Sequence, residues 1–443
     1  MDKRFFKLFN LTEEEAIAIL DKSPGQLGEN DSRYIAASHL AGFPTEASIS
    51  SLMRAVKNTE SSLENRIVRR KSIESLGHLK ARQALLLICG CLADDDCYTV
   101  ENAVWAIGEI GTRDTNILEE IAKLLDKPEQ IYRVIIHTLA KLEYKPALYR
   151  ILQFIEHDDK TIASAAIATI YRFTGNNSSM PQVVDFLQNP KVYVRRLCIQ
   201  DLVNVNYYSA IPEIAICSVS PVFRLRGIRM LAEVGIADGV LAFMDVEPYL
   251  DKVIFDHPQD LNLVHEYDTT PTLEFSIREL YETDFGRCYL ATQTILKNYR
   301  NIAGEALIMA CTKEAYNDYG AHYHIVKLLG WLKYTPAYPI LIEALYNQEP
   351  QFQKSRTAAA IALGELGQKQ AISKLKDCME TTIWELKYAA LISLEKLGSN
   401  SGWEMAANDQ DWIIQAKVAR QRATGKPIHN LMINNSEFEN DSR

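Results

Sequence analysis

A pattern returning about every 32 residues limits what this chain can fold into. Its clearest copy is Thr99–Thr112, TVENAVWAIGEIGT. At 100° per residue, Val100, Ala103, Val104, Ile107 and Ile110 share one side of a helix. Taking Gly108 as the reference, equivalent positions are Ala41, Gly77, Ala140, Tyr171, Val203 and Ala232, then Gly330, Gly364 and Glu395. The early spacings are 36, 31, 32, 31, 32 and 29, and the later ones are 34 and 31. Each unit also has room for a companion apolar helix, as in ALLLICGCL, ILEEIAKLL and AYPILIEAL. Two amphipathic helices per short period predict an all-α fold, a curved α-solenoid of short HEAT-like repeats.

The period breaks near residues 238–272, where Pro248, Pro258 and Pro271 accompany the polar run DHPQDLNLVHEYDTT. The expected organisation is a lead-in helix within 1–30, repeats over 31–237, an insertion with degenerate repeats over 238–316, repeats over 317–425, and a polar, disordered tail over 426–443. Thr12 and Glu15 form a capping-box pattern opening a helix at Glu13–Leu20.

In repeats of this class one helix of each pair lines the concave side. If the helix carrying the reference position is that one, Tyr98, Glu101, Asn102, Trp105 and Glu109 face a groove. Arg70, Arg133, Arg196 and Tyr323 occupy the position of Glu101 in other units. His137 and Lys327 occupy that of Trp105, His324 that of Asn102 and Trp331 that of Glu109. Each has a plainer reading. An arginine here can clasp an Asp of the preceding turn and staple neighbouring units, and His137 can be a packed imidazole. The run Tyr316–His324 is dense in polar chemistry: Asp318 can be an N-cap, while the tyrosines can donate protons and the carboxylate can hold N–H groups. Solenoid curvature is expected to set Asp318–Lys327 opposite the Trp105 wall.

Composition narrows the function classes. A net charge of −9 and a pI near 5.6 argue against broad nucleic-acid binding. The eight cysteines show no zinc spacing and fit a reducing compartment. MDKRFFKLFNLTEEEA does not read as a signal peptide, and no apolar run is long enough for membrane insertion. Triad, P-loop, dinucleotide and HExxH motifs are absent from the sequence, so no metal site is expected.

Several segments together resemble the E/F-clan phycobilin lyases, in particular CpeY-like phycoerythrobilin lyases and related lyase-isomerases. They are MDKRFFKLFNLTEEEAIAIL, DSRYIAASHL, NRIVRRKSIESLGHLKA, YTVENAVWAIGEIGT, YRVIIHTLAKL and VFRLRGIRMLAEVG. The resemblance runs from Met1 to about Gly425. It implies an enzyme of the cyanobacterial cytosol that binds free phycoerythrobilin and presents it to a phycoerythrin α-subunit. A cysteine of that subunit then adds to the bilin's ethylidene group to form a thioether. The bilin is the substrate, and no cofactor is implied. Alternatives within the resemblance are isomerisation to phycourobilin, action with a second lyase or chaperone subunit, and a non-enzymatic scaffold. On this reading Asp318, Tyr319 and Tyr323 are catalytic. Aromatic rings at Tyr98, Trp105, Tyr323 and Trp331 stack on the tetrapyrrole. Arg70, Arg133, Arg196 and Lys327 hold the propionates, and Glu101, Glu109 or Asp318 accepts pyrrole N–H bonds. Asn102, His137 and His324 complete the lining.

Overall fold

The computed structural model describes residues 11–29 and 31–424; the tail expected to be disordered lies outside them. Its named elements are α-helices and short 3-10 turns, with one isolated bridge between Cys217 and Asn262. The chain forms two compact units, one ending at Val183 and the other starting at Val184.

In the first unit the lead-in helix Glu13–Leu20 has both halves of its Thr12/Glu15 capping box. The helices Arg33–Leu40, Leu63–His78, Cys97–Ile110, Tyr132–Lys141 and Lys160–Thr174 pack on one another in chain order. Companion helices such as Glu46–Lys57 and Thr115–Lys123 alternate with them. Polar caps start several of the packed helices: Ser62 accepts from the Asn65 N–H, Asp96 from Thr99 and Asp159 from Thr161. The predicted apolar side of Thr99–Thr112 is buried, from Val100 and Ala103 to Ile107 and Ile110. Where the reference position is glycine, consecutive helices approach closely. A Cβ on Gly77 would stand 2.9 Å from the Ala106 Cα, and one on Gly330, in the second unit, 2.5 Å from the Ala362 Cα.

The second unit repeats this order through Phe285–Asn298, Tyr319–Trp331, Gln353–Leu366, Trp384–Lys396 and Trp412–Thr424. The break in the period contains a further helix, Phe243–Phe255, which carries Pro248 inside it. This helix packs on Pro221–Ala237 and on the three late helices Gln353–Leu366, Trp384–Lys396 and Trp412–Thr424. Buried Lys417 holds it through Asp251 (2.7 and 3.0 Å) and Glu247 (2.8 Å). The Tyr388 hydroxyl donates to Asp251 at 2.5 Å. The non-repeating stretch thus contributes a strut on which later repeats of its unit are anchored.

Candidate functional site

The strut ends at Asp256, whose backbone is left-handed (φ 55°, ψ 46°) and whose N–H donates to Lys252 O at 2.8 Å. Asp tolerates this conformation better than most side-chain-bearing residues. Its carboxylate is buried where three other helices meet. Arg224, from Pro221–Ala237, binds Oδ1; both side chains are fully buried. The hydroxyls of Tyr289, from Phe285–Asn298, at 2.8 Å, and of Tyr323, from Tyr319–Trp331, both donate to Oδ2. The guanidinium also donates to Val219 O (3.1 Å), Ala215 O (3.0 Å) and the Tyr289 hydroxyl (2.8 Å). A buried charge is tolerated when it is paired and hydrogen-bonded in this way. Burial opposes the Arg224 charge, but Asp256 and the adjacent phenols outweigh it and raise its pKa. Burial, reinforced by Asp256, lifts Tyr289 and Tyr323 well above the ordinary phenol range.

Lys327 is also buried, and its Nζ donates to the last carbonyls of the strut, Ile254 O at 2.9 Å and Phe255 O at 2.6 Å. A cation is favoured at a helix C-terminus. Even so, burial lowers its pKa to about 8, against the pull of Asp256. His324 lies against Phe285 and Tyr289, with ring centroids 4.7 and 5.1 Å away. Burial lowers its pKa to about 3, so it is neutral at ordinary pH.

Tyr323 and Lys327 line a cavity of about 370 Å³, with Tyr319, Lys354, Glu385 and Thr357 contributing other polar groups. Its apolar wall includes Pro221, Val222, Leu225, Val253, Ile254 and Ala358. Tyr319 is exposed and has the Lys354 Nζ 4.3 Å above its ring. Burial lowers Lys354 to about 8, with Asp318 acting in the opposite direction. Glu385 is raised chiefly by burial. A mostly apolar cavity with a few convergent polar groups is the usual form of a small-molecule site.

The sequence-predicted residues divide between the units. The structure brings Tyr319, Tyr323 and Lys327 to one cavity. Asp318 stands at the start of their helix, where Oδ1 accepts from the Gly320 and Ala321 N–H groups, both at 2.8 Å. Trp331 lies below, edge-on to His257 at 5.0 Å, with the Lys327 Nζ 5.5 Å from its ring. Arg196 sits over Phe223 at 4.9 Å and reaches Thr283 O at 3.4 Å. Its neighbour Arg195 forms the ion pair with Asp284, at 2.5 Å.

The remaining candidates belong to the first unit. Arg70 clasps Asp96 through Nε and Nη2 at 2.7 and 2.6 Å and lies 4.9 Å from the Tyr98 ring. Burial raises Glu101, with Arg70 opposing. The Asn102 amide donates to Tyr98 O at 2.7 Å. Trp105 is half-buried on Gly77 and edge-on to His78 at 4.8 Å. Glu109 pairs with Lys141 at 2.6 Å, and Arg133 donates to Thr161 O at 2.5 Å. His137 is half-buried. Sequence reasoning missed Arg224, Asp256, Tyr289 and Lys354. Asp256 opens the polar run in the break of the period, and that was its only visible signal.

Among the described residues no group of His, Cys, Asp and Glu could hold a metal ion, and no helix is long and apolar enough to cross a membrane. Residues 305–395 match the family model for HEAT repeats. The chain is 59% identical to the uncharacterized phycocyanin operon protein Y of Pseudanabaena tenuis, over 94% of this chain and 99% of that protein. It is 30% identical to the bilin biosynthesis protein CpeY of a Synechococcus strain, over 90% of this chain and 98% of that one. A solved structure, the CpcE–CpcF complex of phycocyanin lyase from a Nostoc strain, matches 55% of this chain and 95% of its own at 25% identity, with a TM-score of 0.47. With identity sustained over nine-tenths of its length, the chain belongs to the E/F-type phycobilin lyase family, with CpeY among its relatives.

Proposed function

We propose that this protein is a bilin lyase that binds a free phycobilin in the cavity beside Tyr319 and Tyr323. The bilin is then presented to a cysteine of a phycobiliprotein subunit. The observation that carries the proposal is the pairing of apolar walls with Lys327 and Lys354 in a cavity of about 370 Å³. A linear tetrapyrrole is a flat apolar body with two propionates, and it answers both features by burial and by charge-assisted hydrogen bonds.

In the proposed reaction the acceptor thiol adds across the exocyclic ethylidene double bond. A carbon–sulfur bond forms at the ethylidene carbon, and the thiol proton is balanced by one delivered to the adjacent ring carbon. No atom leaves and no electron is transferred. Protonation of the pigment makes its ethylidene carbon more electrophilic. Tyr319 at the open edge supplies a hydroxyl for proton transfer, and Asp318 fixes the first turn of the helix that carries it. Holding pigment and thiol together contributes part of the rate by itself, up to about 7–11 kcal/mol in well-oriented cases. Within this reading the pigment is phycoerythrobilin and the acceptor the phycoerythrin α-subunit.

Co-production with phycoerythrobilin and a phycoerythrin α-subunit tests the proposal. The expected product is a coloured subunit that keeps its pigment after denaturation. Equal colour without this protein refutes the lyase reading. Tyr319→Phe and Asp318→Asn are expected to lower transfer with helical content unchanged. The absorption spectrum of the adduct separates erythrobilin from urobilin attachment and subunit exchange identifies the acceptor.

A further inference from the structure

The hydroxyl hydrogen of Tyr323 has one destination. Asp256 holds the Arg224 guanidinium on Oδ1 in a fully buried ion pair. A carboxylate offers acceptors only. Both hydroxyls on its Oδ2, from Tyr289 and Tyr323, must therefore donate. Tyr289 has no freedom to turn away, since its oxygen also accepts from Arg224 Nη2 at 2.8 Å. A phenol has a single hydrogen, so with that hydrogen on Asp256 the Tyr323 oxygen keeps lone pairs alone. A polar group of any occupant that reaches this oxygen must bring a hydrogen.

We infer that Asp256 is a positioning residue that makes Tyr323 a hydrogen-bond acceptor, so that the cavity selects a conjugated N–H ligand in its protonated form. This rests on the reading of the cavity as a bilin site and goes beyond it by assigning the direction of one hydrogen bond. The oxygen is polarised by the carboxylate behind it, which strengthens it as an acceptor for a cationic N–H. It also separates the two cavity tyrosines: Tyr319 keeps its hydrogen for donation, while Tyr323 accepts. The charged and titratable groups packed around Tyr323 are Asp256, Arg224, Tyr289, His324 and Lys327, with Lys354 and Glu385 on the same cavity. Lys327 directs its Nζ to the Ile254 and Phe255 carbonyls, and His324 is neutral; Glu385 is a second carboxyl on the cavity, but the carboxylate bonded to the Tyr323 hydroxyl is that of Asp256, so the polarisation at this oxygen comes from Asp256.

The test uses the full chain with biliverdin as probe. The pH midpoint for protonation of the bound pigment is read by absorption in wild type, Tyr323→Phe and Asp256→Asn, with the melting temperature measured in parallel. The wild-type midpoint is expected above that of free pigment. In Tyr323→Phe it should fall by about one pH unit, a roughly tenfold change in the protonation equilibrium. Asp256→Asn should move it the same way, because the new amide can donate to the phenol and release its hydrogen. If that variant does not fold, Tyr323→Phe decides alone. A lower melting temperature with bound pigment and an unmoved midpoint overturns the inference and leaves bilin binding standing. Failure of wild type to bind biliverdin overturns both.

Discussion

In the first unit, Arg70 reaches one helix forward to Asp96, and Lys141 reaches one helix back to Glu109. Each pair joins neighbours about one period apart and keeps contact with water. In the second unit, Arg224 meets a carboxylate 32 residues on and a phenol 65 residues on, with no exposure of the ion pair. The first arrangement can be repeated along a solenoid because every helix can offer the same partner. The second needs the irregular segment to end at Asp256, which no repeat supplies. The difference teaches that regular stacking repeats clamps that stay in contact with water, while the departure from it allows a fully buried one.

Breaking one clamp in each unit measures that difference. Arg224→Met leaves Asp256 buried without its cation and is expected to cost about 3–5 kcal/mol, read as a lower urea midpoint. A loss below 1 kcal/mol would erase the distinction. Gly330→Ala forces a methyl group against the Ala362 backbone and should cost about 1–3 kcal/mol. Gly108→Ala meets the movable Thr138 side chain at 3.1 Å and should cost less.

The pH dependence of binding sharpens the comparison at the cavity. Lys354 has an ordinary value of 10.5 and is lowered to about 8. Below pH 8 it is charged whether the chain is folded or unfolded. Between about 8 and 10.5 the unfolded chain holds a proton that the folded one has released, so this group's contribution to stability rises with pH there. Binding has the opposite sign: a propionate needs the ammonium, so affinity for a dicarboxylic tetrapyrrole should be full below pH 8 and fall above it. Lys354→Met should reduce affinity about tenfold at pH 7 and flatten the fall, measured by fluorescence quenching; a loss of one ion contact of ~1.4 kcal/mol has this size. The smallest effect is expected for Lys141→Met, where a half-exposed pair should give ~0.2–1 kcal/mol.

The repeats were legible because burial imposes a period on the sequence. The side of Cys97–Ile110 carrying Val100, Val104 and Ile107 could be named before any coordinates. So could the capping box at Thr12. The lining of the candidate cavity was legible in part. Tyr319, Tyr323 and Lys327 stood out because they crowd one helix. Asp256 did not, because its partners are fixed by a fold and not by a spacing. Arg224 looked like any other arginine of the repeat pattern. The helix Phe243–Phe255 was hidden by Pro248, read as a breaker. Proline in a helix forfeits one backbone hydrogen bond, and here packing on several helices holds the element regardless. Arg70 shows the converse: the residue was picked out, and the structure shows it clasping Asp96.

The strut also bears on how the second unit folds. A repeat array held only by neighbours can nucleate anywhere and lengthen one unit at a time. The contacts of Asp251 with Tyr388 and Lys417 span 137 and 166 residues. They cannot form until the intervening chain has found its place, which lengthens the search and binds the strut and the unit's last described helices into one cooperative transition. Such a unit does not tolerate the gain or loss of a single repeat in the way an open array does. Its repeat number is then held by closure around the strut, even though each repeat alone is replaceable.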